Sequence, residues 1–512
     1  MAAASRSESK TRMRMGPKHR HAPGALPGRV NHDKVGDMDP FVSLDATAQA
    51  ELVRRREATP LELVDAAIAR IERLNPTLNA VVQTQFDQAR ERARGTLPPG
   101  PFTGVPFLLQ DLLTAQEGHP LTHGSRFGKD YIPDQDSELV KRHRRSGLVV
   151  LGKSNTPEMG LLPTTEGELH GPCRNPWDTS RSPGGSSGGA AAAVASGMVP
   201  FAHATDSGGS IRIPAAACGL FGLKPTRGRN PMGGDIADAV HWLVTEHALT
   251  RSVRDSAALL DVTCGADAGT PYQAPAKARP YTQEVNTPPG RLRIRVAVRN
   301  PMGAAIHPEC LAAIHSAARL LEDLGHHVDE GSLEVPGDDA VGQHFITVWT
   351  AGVVFSIDAM AERLGRSPEA SHFEPFTWAL YQYGLDQGLS AYLRASAELQ
   401  RHSRAALRHF DDVDVWLMPT LNELAPPLGT FSSPPGEPMA PLLRAGAFAS
   451  HCPMANITGL PAMSLPLHWS PDGLPVGVQF MGRFGDEATL FRLAAQLEAA
   501  RPWAQRRPAV FG

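Results

Sequence analysis

The sequence contains few cysteines and no recognisable metal-binding pattern. Its five cysteines are scattered along 512 residues and never form a CxxC pair; they are Cys173, Cys218, Cys264, Cys310 and Cys452. A disulfide framework or a zinc ribbon is therefore not expected, and a reducing, cytoplasmic location is predicted. None of the twenty histidines falls in an HExxH arrangement. We therefore expect no metal and no other cofactor.

The chain also lacks a strong charge excess and a long apolar run. Its formal net charge of −3 is unlike the basic excess that is typical of nucleic-acid-binding proteins. No uninterrupted run of 18 apolar residues occurs, so no membrane-spanning helix is expected. The 41% hydrophobic and 20% charged residues are ordinary for a soluble globular protein. Neither nucleic acid nor a membrane is a predicted partner.

The N-terminal residues have almost no aliphatic content. Residues 1–37 contain eight Lys or Arg against three Asp or Glu, and no apolar segment of the kind found in signal peptides follows them. Such a stretch cannot bury enough surface to offset its ordering entropy. We expect residues 1–40 to be a disordered basic extension and residues 41–512 to form one folded domain. Whether the extension is a genuine tail or translation starts at Met38 stays open.

Hydrophobic periodicity predicts an α/β fold for the rest of the chain. Helical patterns cover 45–56, 59–75, 308–324 and 341–410, and apolar runs predict strands at 78–82, 104–109, 147–151, 292–298, 414–419, 462–467 and 476–482. A Pro-rich stretch at 265–290 is typical of a linker, but strands are predicted on both sides of it. One large sheet covered by helices explains this better than separate domains. The His326–His327 doublet is predicted to mark a helix C-terminus rather than metal ligands.

Two short motifs match expressions for other enzyme classes but lack the required context. The run Gly147–Ser154 matches GxxxxGK[ST], yet its loop positions are Leu, Val, Val and Leu, which favour a strand over a phosphate cradle. The run Gly184–Gly188 matches GxSxG, but the preceding RNPWDTSRSP is polar and contains proline, so the strand that feeds a nucleophile elbow is absent. Neither nucleotide hydrolysis nor an α/β-hydrolase fold is favoured.

Two glycine–serine segments lie 24 residues apart and carry a third interpretation. They are GGSSGG at 184–189 and DSGGS at 206–210. Turns with little side chain let successive N–H groups converge on one oxygen, as an oxyanion hole requires. A serine at the end of such a turn can attack a carbonyl that those donors hold, and a second serine can relay its proton.

The pattern GGSSGGAAAAVASG…ATDSGGSIRIPAAACGLFGLKPTRG resembles the amidase signature family. Further similar stretches are GVPFLL, LGKSNTPEMG, NPW and GLPAMSLPLHWSPDGLPVGVQFMG, so the resemblance runs from about 42 to 510. It implies a single large α/β domain, with a mixed twisted sheet between helices, that hydrolyses amides through a serine–cis-serine–lysine triad. The ends DATAQAELVR and AAQLEAARPWAQRRP are similar to those of 6-aminohexanoate cyclic dimer hydrolases, which act on nylon oligomers.

The resemblance implies roles for residues of both segments. Ser210 corresponds to the nucleophile and Ser186 to the bridging cis-serine, and we expect their hydroxyls to touch. The N–H groups of Ser207, Gly208, Gly209 and Ser210 are expected to form the oxyanion hole.

Three neighbouring residues are expected to have structural roles. Asp206 is predicted to hold the turn through hydrogen bonds, and Ser187 is interpreted as loop packing. Lys153 matches a lysine of the family that is structural.

The sequence departs from the family at the catalytic lysine, whose position holds Gln110. A carboxamide can hydrogen-bond to Ser186 but has no basic nitrogen, so it cannot act as general base. Losing such a base costs on the order of 10²–10⁴ in rate. Natural loss of activity, an engineered substitution and another base, with Lys129 and Lys141 as candidates, remain open. The alternative function is a pseudoenzyme that binds amides without cleaving them.

The substrate is expected to be a small linear or cyclic amide. Residues 341–410 and the loops near Gly160 and Cys452 are expected to determine which one. Aromatics such as Trp349, Trp378 and Tyr381 are candidates for pocket walls, although core packing is the commoner role of such side chains. A homodimer is an expectation from the resemblance alone. A tRNA-dependent transamidase role is disfavoured, because TPEMG stands where those members have a Met-Asp-Glu-Phe type segment.

Overall fold

The computed structural model describes residues 39–232, 242–271, 273–333, 335 and 338–512. Within these ranges, eleven strands form a single sheet: β1 Val81–Thr84, β2 Pro106–Gln110, β3 Val149–Ser154, β4 Phe201–Asp206, β5 Phe221–Lys224, β6 Thr245–Thr250, β7 Arg293–Val296, β8 His327–Glu330, β9 Val415–Pro419, β10 Ala462–Trp469 and β11 Pro475–Gly482. Most of the predicted extension at 1–40 lies outside the described residues.

The strands follow the order β1-β3-β2-β4-β6-β5-β10-β11-β9-β7-β8. The pairs β3–β2, β2–β4, β9–β7 and β7–β8 are parallel, and the remaining neighbours are antiparallel. The sheet is therefore mixed and draws on strands from both sides of the Pro-rich stretch at 265–290. The prediction of one α/β domain over one large sheet is confirmed.

Fifteen α-helices lie in the described ranges and pack against this sheet or against one another: α1 Ala46–Arg54, α2 Pro60–Leu78, α3 Phe86–Arg94, α4 Glu138–Arg145, α5 Gly188–Ala195, α6 Arg212–Cys218, α7 Val253–Thr263, α8 Tyr281–Glu284, α9 Pro308–Asp323, α10 Asp338–Leu364, α11 Pro375–Leu385, α12 Leu389–Leu407, α13 Ala440–Phe448, α14 Pro453–Thr458 and α15 Glu487–Ala500. Hydrophobic clusters lie between the helices and the sheet, and the largest of them joins α2 and α5 to β3 and β4.

Four strands, β4, β5, β6 and β8, are not predicted from the sequence, and two predicted element boundaries differ from the structure. Leu78 is the last residue of α2 rather than the start of a strand, because Asn79 adopts a left-handed conformation with φ of 50° and ends the helix. His327 opens β8 rather than ending a helix, and His326 packs inside, where its Nδ1 accepts the Leu292 N–H at 3.2 Å. The helix itself ends at Asp323, four residues earlier.

The run that matched a phosphate-binding loop is a buried strand. β3 contains Gly152, Lys153 and Ser154, and all of its residues are buried. The polypeptide between Gly147 and Ser154 therefore forms sheet hydrogen bonds and cannot wrap around a phosphate. The prediction that this run forms a strand rather than a phosphate-binding loop is confirmed.

The sheet brings three chain segments to one edge. β2 ends at Gln110, β3 at Ser154 and β4 at Asp206, and β2 lies parallel to both of the others. Because parallel strands point the same way, the residues that follow them meet outside their carboxyl ends. This edge is where both glycine–serine segments lie.

Within the described part of the chain, one helix is apolar enough, by length and composition alone, to cross a membrane. It is the stretch Ala340–Leu364 of α10, and the same test is also passed by core helices of soluble proteins. The helix packs against α11 and α12 and supplies residues such as Trp349 to a cavity that is described below. In this structure, α10 forms one wall of that cavity.

Candidate active site

The segment that carries Ser210 is a tight turn between β4 and α6. Gly209, in the middle of the turn, has φ of 131°, a conformation that side chains rarely adopt. A Cβ at this position would lie 2.7 Å from Cys452 Cβ and 2.8 Å from Ile213 Cδ1. Glycine is therefore required here both by the backbone and by the close packing of its neighbours.

The carboxylate of Asp206 holds this turn from inside. Its Oδ1 accepts the Gly209 N–H at 2.8 Å, and its Oδ2 accepts the Ile211 N–H at 3.2 Å. Arg212 donates to both oxygens at 2.9 Å, which gives a bidentate ion pair. The Asn456 side-chain amide donates to Oδ1 at 2.9 Å from helix α14. The prediction that Asp206 holds the turn by hydrogen bonds is confirmed.

The Asp206–Arg212 pair is completely buried, and the carboxylate is charged. Burial alone would raise the pKa of Asp206, but the Arg212 guanidinium outweighs it and holds that pKa below its ordinary value. The remaining Arg212 donors reach Cys452 O and Gln479 Oε1 at 2.8 and 2.7 Å. Each buried charge is thereby satisfied, as burial in a low-dielectric interior requires.

The N–H groups of the turn differ in whether they already have a hydrogen-bond acceptor. The Gly209 N–H points to Asp206 and is not free to bind a substrate oxygen, so the predicted donor set must be corrected by removing it. The N–H groups of Ser207, Gly208 and Ser210 have no acceptor within the part of the chain that the structure describes. These three amides are the ones available to an oxyanion.

Ser186 lies in the other glycine–serine segment, just before α5. The Gly185–Ser186 peptide bond is cis. The two segments meet through their main chains, because the Ser187 N–H donates to Ser210 O at 3.4 Å. The expected contact between the hydroxyls is not made: among the described residues, no hydrogen bond joins Ser186 Oγ to Ser210 Oγ. The two segments are therefore joined through their main chains.

Gln110 is completely buried beside both segments, and all of its side-chain polar atoms have partners. Its Oε1 accepts the Thr205 N–H at 3.0 Å and the Ser187 hydroxyl at 3.1 Å. Its Nε2 donates to Thr156 Oγ1 at 3.2 Å and to the main-chain oxygen of Ser186 at 3.3 Å. The carboxamide therefore bonds to the backbone of Ser186 and not to its hydroxyl. Ser187 acts as a structural residue, as predicted.

The lysines that the sequence offers as candidate bases do not line the cavity that contains Ser186. Lys129 and Lys141 are exposed, and neither lines the cavity that contains Ser186. The Lys153 ammonium donates to Pro120 O and lies 3.9 Å from Asp111 Oδ1, and burial lowers its pKa to about 8. Lys224, which the sequence did not single out, is buried and donates to Pro225 O at 2.8 Å, and burial lowers its pKa to about 7.

A cavity opens between this edge of the sheet and α10. It is lined by Leu112, Leu113, His123, Met159, Gly160, Leu161, Ser186, Thr205, Ser207, Val244, Trp349, Gly352, Val353 and Ser356. Gly160 and the segment 341–410 contribute to it, as expected. Trp378 and Tyr381 instead pack with Phe127 in a separate core cluster.

Two residues of the site carry no signal in the sequence. His123 lines the cavity with a left-handed backbone, and Asn456 reaches Asp206 from a position 250 residues further along the chain. Neither belongs to a motif, and tertiary folding alone brings them to the site. Among the described residues, no group of three or more His, Cys, Asp or Glu is arranged to hold a metal ion.

Comparisons with known proteins agree with this geometry. A family model described as Amidase matches residues 62–491. A 6-aminohexanoate-cyclic-dimer hydrolase of Pseudomonas sp. (strain NK87) is 40% identical over 475 residues, which cover 91% of this chain and 96% of the relative. A putative amidase AmiC of Mycobacterium tuberculosis (strain ATCC 25618 / H37Rv) is 36% identical over 474 residues, with coverages of 91% and 96%.

Solved structures give the same result. A 6-aminohexanoate cyclic dimer hydrolase complexed with substrate superposes with a TM-score of 0.88 at 38% identity, covering 92% of this chain and 100% of that chain. A bacterial aryl acylamidase of the amidase signature enzymes superposes with a TM-score of 0.84 at 29% identity, covering 92% and 99%. The mixed sheet flanked by helices is thus the architecture of these enzymes.

Replacing Asp206 by asparagine is expected to lower the free energy of unfolding by about 3–5 kcal/mol, because Arg212 is left buried without its counter-charge. Urea unfolding followed by circular dichroism measures the change. The matched control is Asp178→Asn, whose carboxylate is 40% exposed and paired with Arg181. Its loss is expected to cost less than about 1 kcal/mol. Equal costs for both variants would contradict the role assigned to the buried pair.

Gly160→Ala is expected to be more destabilising than Gly118→Ala. The two glycines have similar φ angles of 69° and 72°, so the added backbone strain is matched. A Cβ at Gly160 would lie 2.5 Å from Leu112 Cδ2 and 3.4 Å from Ser186 Oγ, whereas nothing lies within 4 Å at Gly118. Displacing Leu112 is expected to cost an additional ~1 kcal/mol or more. Thermal unfolding of both variants measures the difference in stability. Equal unfolding midpoints would show that the Leu112 side chain moves aside at no cost.

Proposed function

The chain belongs to the amidase family, and we propose that it hydrolyses small amides with Ser210 as the nucleophile and Ser186 as the proton relay. The observation that carries this proposal is the junction of the two glycine–serine segments, where the Ser187 N–H meets Ser210 O. Beside that junction lie a cavity lined by Ser186 and Ser207 and the three amides that have no internal acceptor. A nucleophile, a second hydroxyl and oxyanion donors are the parts that acyl transfer needs.

In the proposed reaction, Ser210 Oγ attacks the carbonyl carbon of the amide while its proton passes to Ser186 Oγ, and Ser186 passes its own hydroxyl proton on to the amide nitrogen. The developing oxyanion accepts hydrogen bonds from the N–H groups of Ser207, Gly208 and Ser210, which are already oriented by the turn. Collapse of the tetrahedral intermediate breaks the C–N bond, and the amine leaves with a proton from the relay. Water then hydrolyses the acyl-enzyme. The relay requires the two hydroxyls to come within hydrogen-bonding distance when substrate binds.

Gln110 limits this relay, because its carboxamide has no basic nitrogen that could take up a proton from Ser186. The four hydrogen bonds of its carboxamide support a second candidate function, in which the protein binds amides and cleaves them slowly or not at all. A fluorophosphonate probe separates the two functions, because it labels an activated serine and spares an inert one. Rapid labelling that Ser210→Ala abolishes supports the hydrolase.

The proposed substrates are small linear or cyclic amides such as 6-aminohexanoate oligomers. The names of the relatives support this class, since 6-aminohexanoate-cyclic-dimer hydrolases are similar to this chain over nearly its whole length. The predominantly apolar lining from α10 and from the Gly160 loop suits an aliphatic chain or ring. A cytoplasmic location and a homodimer remain predictions.

Gln110→Lys is expected to raise the turnover of a panel of amides and aryl esters by about 10²–10⁴-fold. A lysine at this buried position meets two donors, the Thr205 N–H and the Ser187 hydroxyl, and two acceptors, Thr156 Oγ1 and Ser186 O. Burial and the two donors favour an uncharged amine, which is the form that accepts a proton. Steady-state hydrolysis by the purified proteins measures the change.

The control is Gln110→Met, which removes the carboxamide without adding a base and is expected to leave hydrolysis as slow as before. Adding Ser210→Ala to the lysine variant is expected to abolish the gain. The relay described above is wrong if the protein with Gln110 already turns over as fast as the lysine variant.

A further inference from the structure

A buried histidine binds the main chain of residue 110. His203 lies on β4, and its side chain is completely buried. Its Nδ1 accepts the main-chain N–H of Gln110, the last residue of β2, at 3.3 Å. The two strands pair through one register position, at which Leu108 lies opposite Ala202. An imidazole thus extends the connection between β2 and β4 beyond that position.

The side chain of Gln110 strengthens this connection in the opposite direction. Its Oε1 accepts the N–H of Thr205, two residues after His203, at 3.0 Å. Residue 110 is therefore held to β4 both at its main chain and at its side chain. The same carboxamide donates to the main-chain oxygen of Ser186 at 3.3 Å. The main-chain position that His203 sets thus determines where a side chain at 110 meets the segment that carries Ser186.

The hydrogen bonds of His203 define the state of its ring. Because Nδ1 accepts a hydrogen bond, it carries no proton, and the neutral ring has its proton on Nε2. This Nε2 lies 3.0 Å from Glu246 Oε2 and 3.2 Å from Thr114 Oγ1. The Thr114 hydroxyl donates to the same carboxylate oxygen at 2.6 Å. A carboxylate that accepts the second ring N–H of a histidine fixes both its tautomer and its orientation.

We propose that His203, oriented by Glu246, is a positioning residue for the side chain at position 110 and thereby for the serine relay. The proposal rests on the proposed function, because it explains how the side chain beside Ser186 is kept in place. Neither His203 nor Glu246 lines the cavity, so both act through residue 110 and not on the substrate. A misplacement of 1 Å can cost about 10²-fold in rate, so this main-chain bond matters for the chemistry.

The first test follows the Gln110 carboxamide by NMR in the full chain labelled with ¹⁵N-glutamine. Its Nε2 protons are expected to exchange slowly with water, and Gln110→Met identifies their signals by removing them. His203→Phe removes the acceptor of the main-chain N–H and is expected to speed this exchange by about 2–10-fold. His203→Asn keeps an acceptor close to the position of Nδ1 and is expected to restore slow exchange. Asparagine leaves unfilled volume, so this recovery cannot come from better packing.

His247→Phe is the matched control. His247 is a buried histidine of the neighbouring strand β6, and its Nε2 bonds to Ser256 Oγ at 2.7 Å rather than to residue 110. This variant also loses a buried hydrogen bond but is expected to leave the exchange of the Gln110 carboxamide unchanged. Thermal unfolding reports whether each variant is folded. Spectra of ¹⁵N-histidine are expected to show the ring of His203 with its proton on Nε2.

The second test measures turnover of amides in the Gln110→Lys background. Adding His203→Phe is expected to lower kcat by about 10–100-fold and to leave KM nearly unchanged, because the amine is displaced while the cavity stays intact. Adding His203→Asn instead is expected to recover most of the lost kcat. A residue that only stabilises the fold would produce neither the separation of kcat from KM nor this recovery.

Four results would each overturn the proposal. They are unchanged carboxamide exchange in folded His203→Phe, equal exchange in His203→Phe and His247→Phe, a proton on Nδ1 of His203, and unchanged kcat when His203→Phe is added to an active Gln110→Lys protein. If Gln110→Lys does not hydrolyse amides at all, the proposed relay is contradicted. The exchange measurements then decide by themselves whether His203 positions residue 110.

Discussion

A single buried ion pair fixes the geometry on which the site depends. Asp206 lies two residues before Gly208, and Arg212 lies three residues after Gly209. Together they bind the turn amides, helix α14 and strand β11. Replacing either charge leaves the other unpaired in the interior, so the pair stabilises only as a unit. The turn keeps three amides unused because a fourth, at Gly209, is committed to this anchor. Free donors next to a rigid anchor are what preorganised stabilisation of an oxyanion requires.

Gln110 lies on the other side of the same site. A side chain there can satisfy the hydrogen bonds of its neighbours without being able to accept a proton. Its carboxamide gives two neighbouring donors an acceptor and two neighbouring acceptors a donor, so the interior has no unmet polar group at this position. The carboxamide therefore meets the hydrogen-bonding needs of its neighbours but supplies no basic nitrogen. The fold, the cavity and the turn are those of a hydrolase irrespective of how fast the relay works.

The sequence predicted the parts of the fold that follow simple periodicity. β2, β3, β9, β10 and β11 are apolar runs that the sequence predicts as strands, whereas β4, β5, β6 and β8 are not predicted. Two of these missed strands, β4 and β6, carry His203 and Glu246, whose side chains bind each other at 3.0 Å inside the protein. A polar residue that is buried with a partner has no local signature, since the partner comes from a distant segment.

Only part of the candidate site could be predicted from the sequence. The spacing of the two glycine–serine segments and the residue at position 110 are visible in the sequence, and the junction between the segments agrees with them. The commitment of the Gly209 amide, the orientation of the two hydroxyls and the contribution of His123 to the cavity depend on tertiary packing. No pattern of neighbouring residues encodes these features.

The completeness of the hydrogen bonds around Gln110 has a genetic consequence. Glutamine and lysine codons differ by one base, so a single substitution exchanges this carboxamide for an amine. A neutral amine offers one acceptor where the carboxamide oxygen now receives two donors, so the exchange alters hydrogen bonding at this position only. Selection on the chemistry alone, rather than on folding, decides which of the two side chains persists.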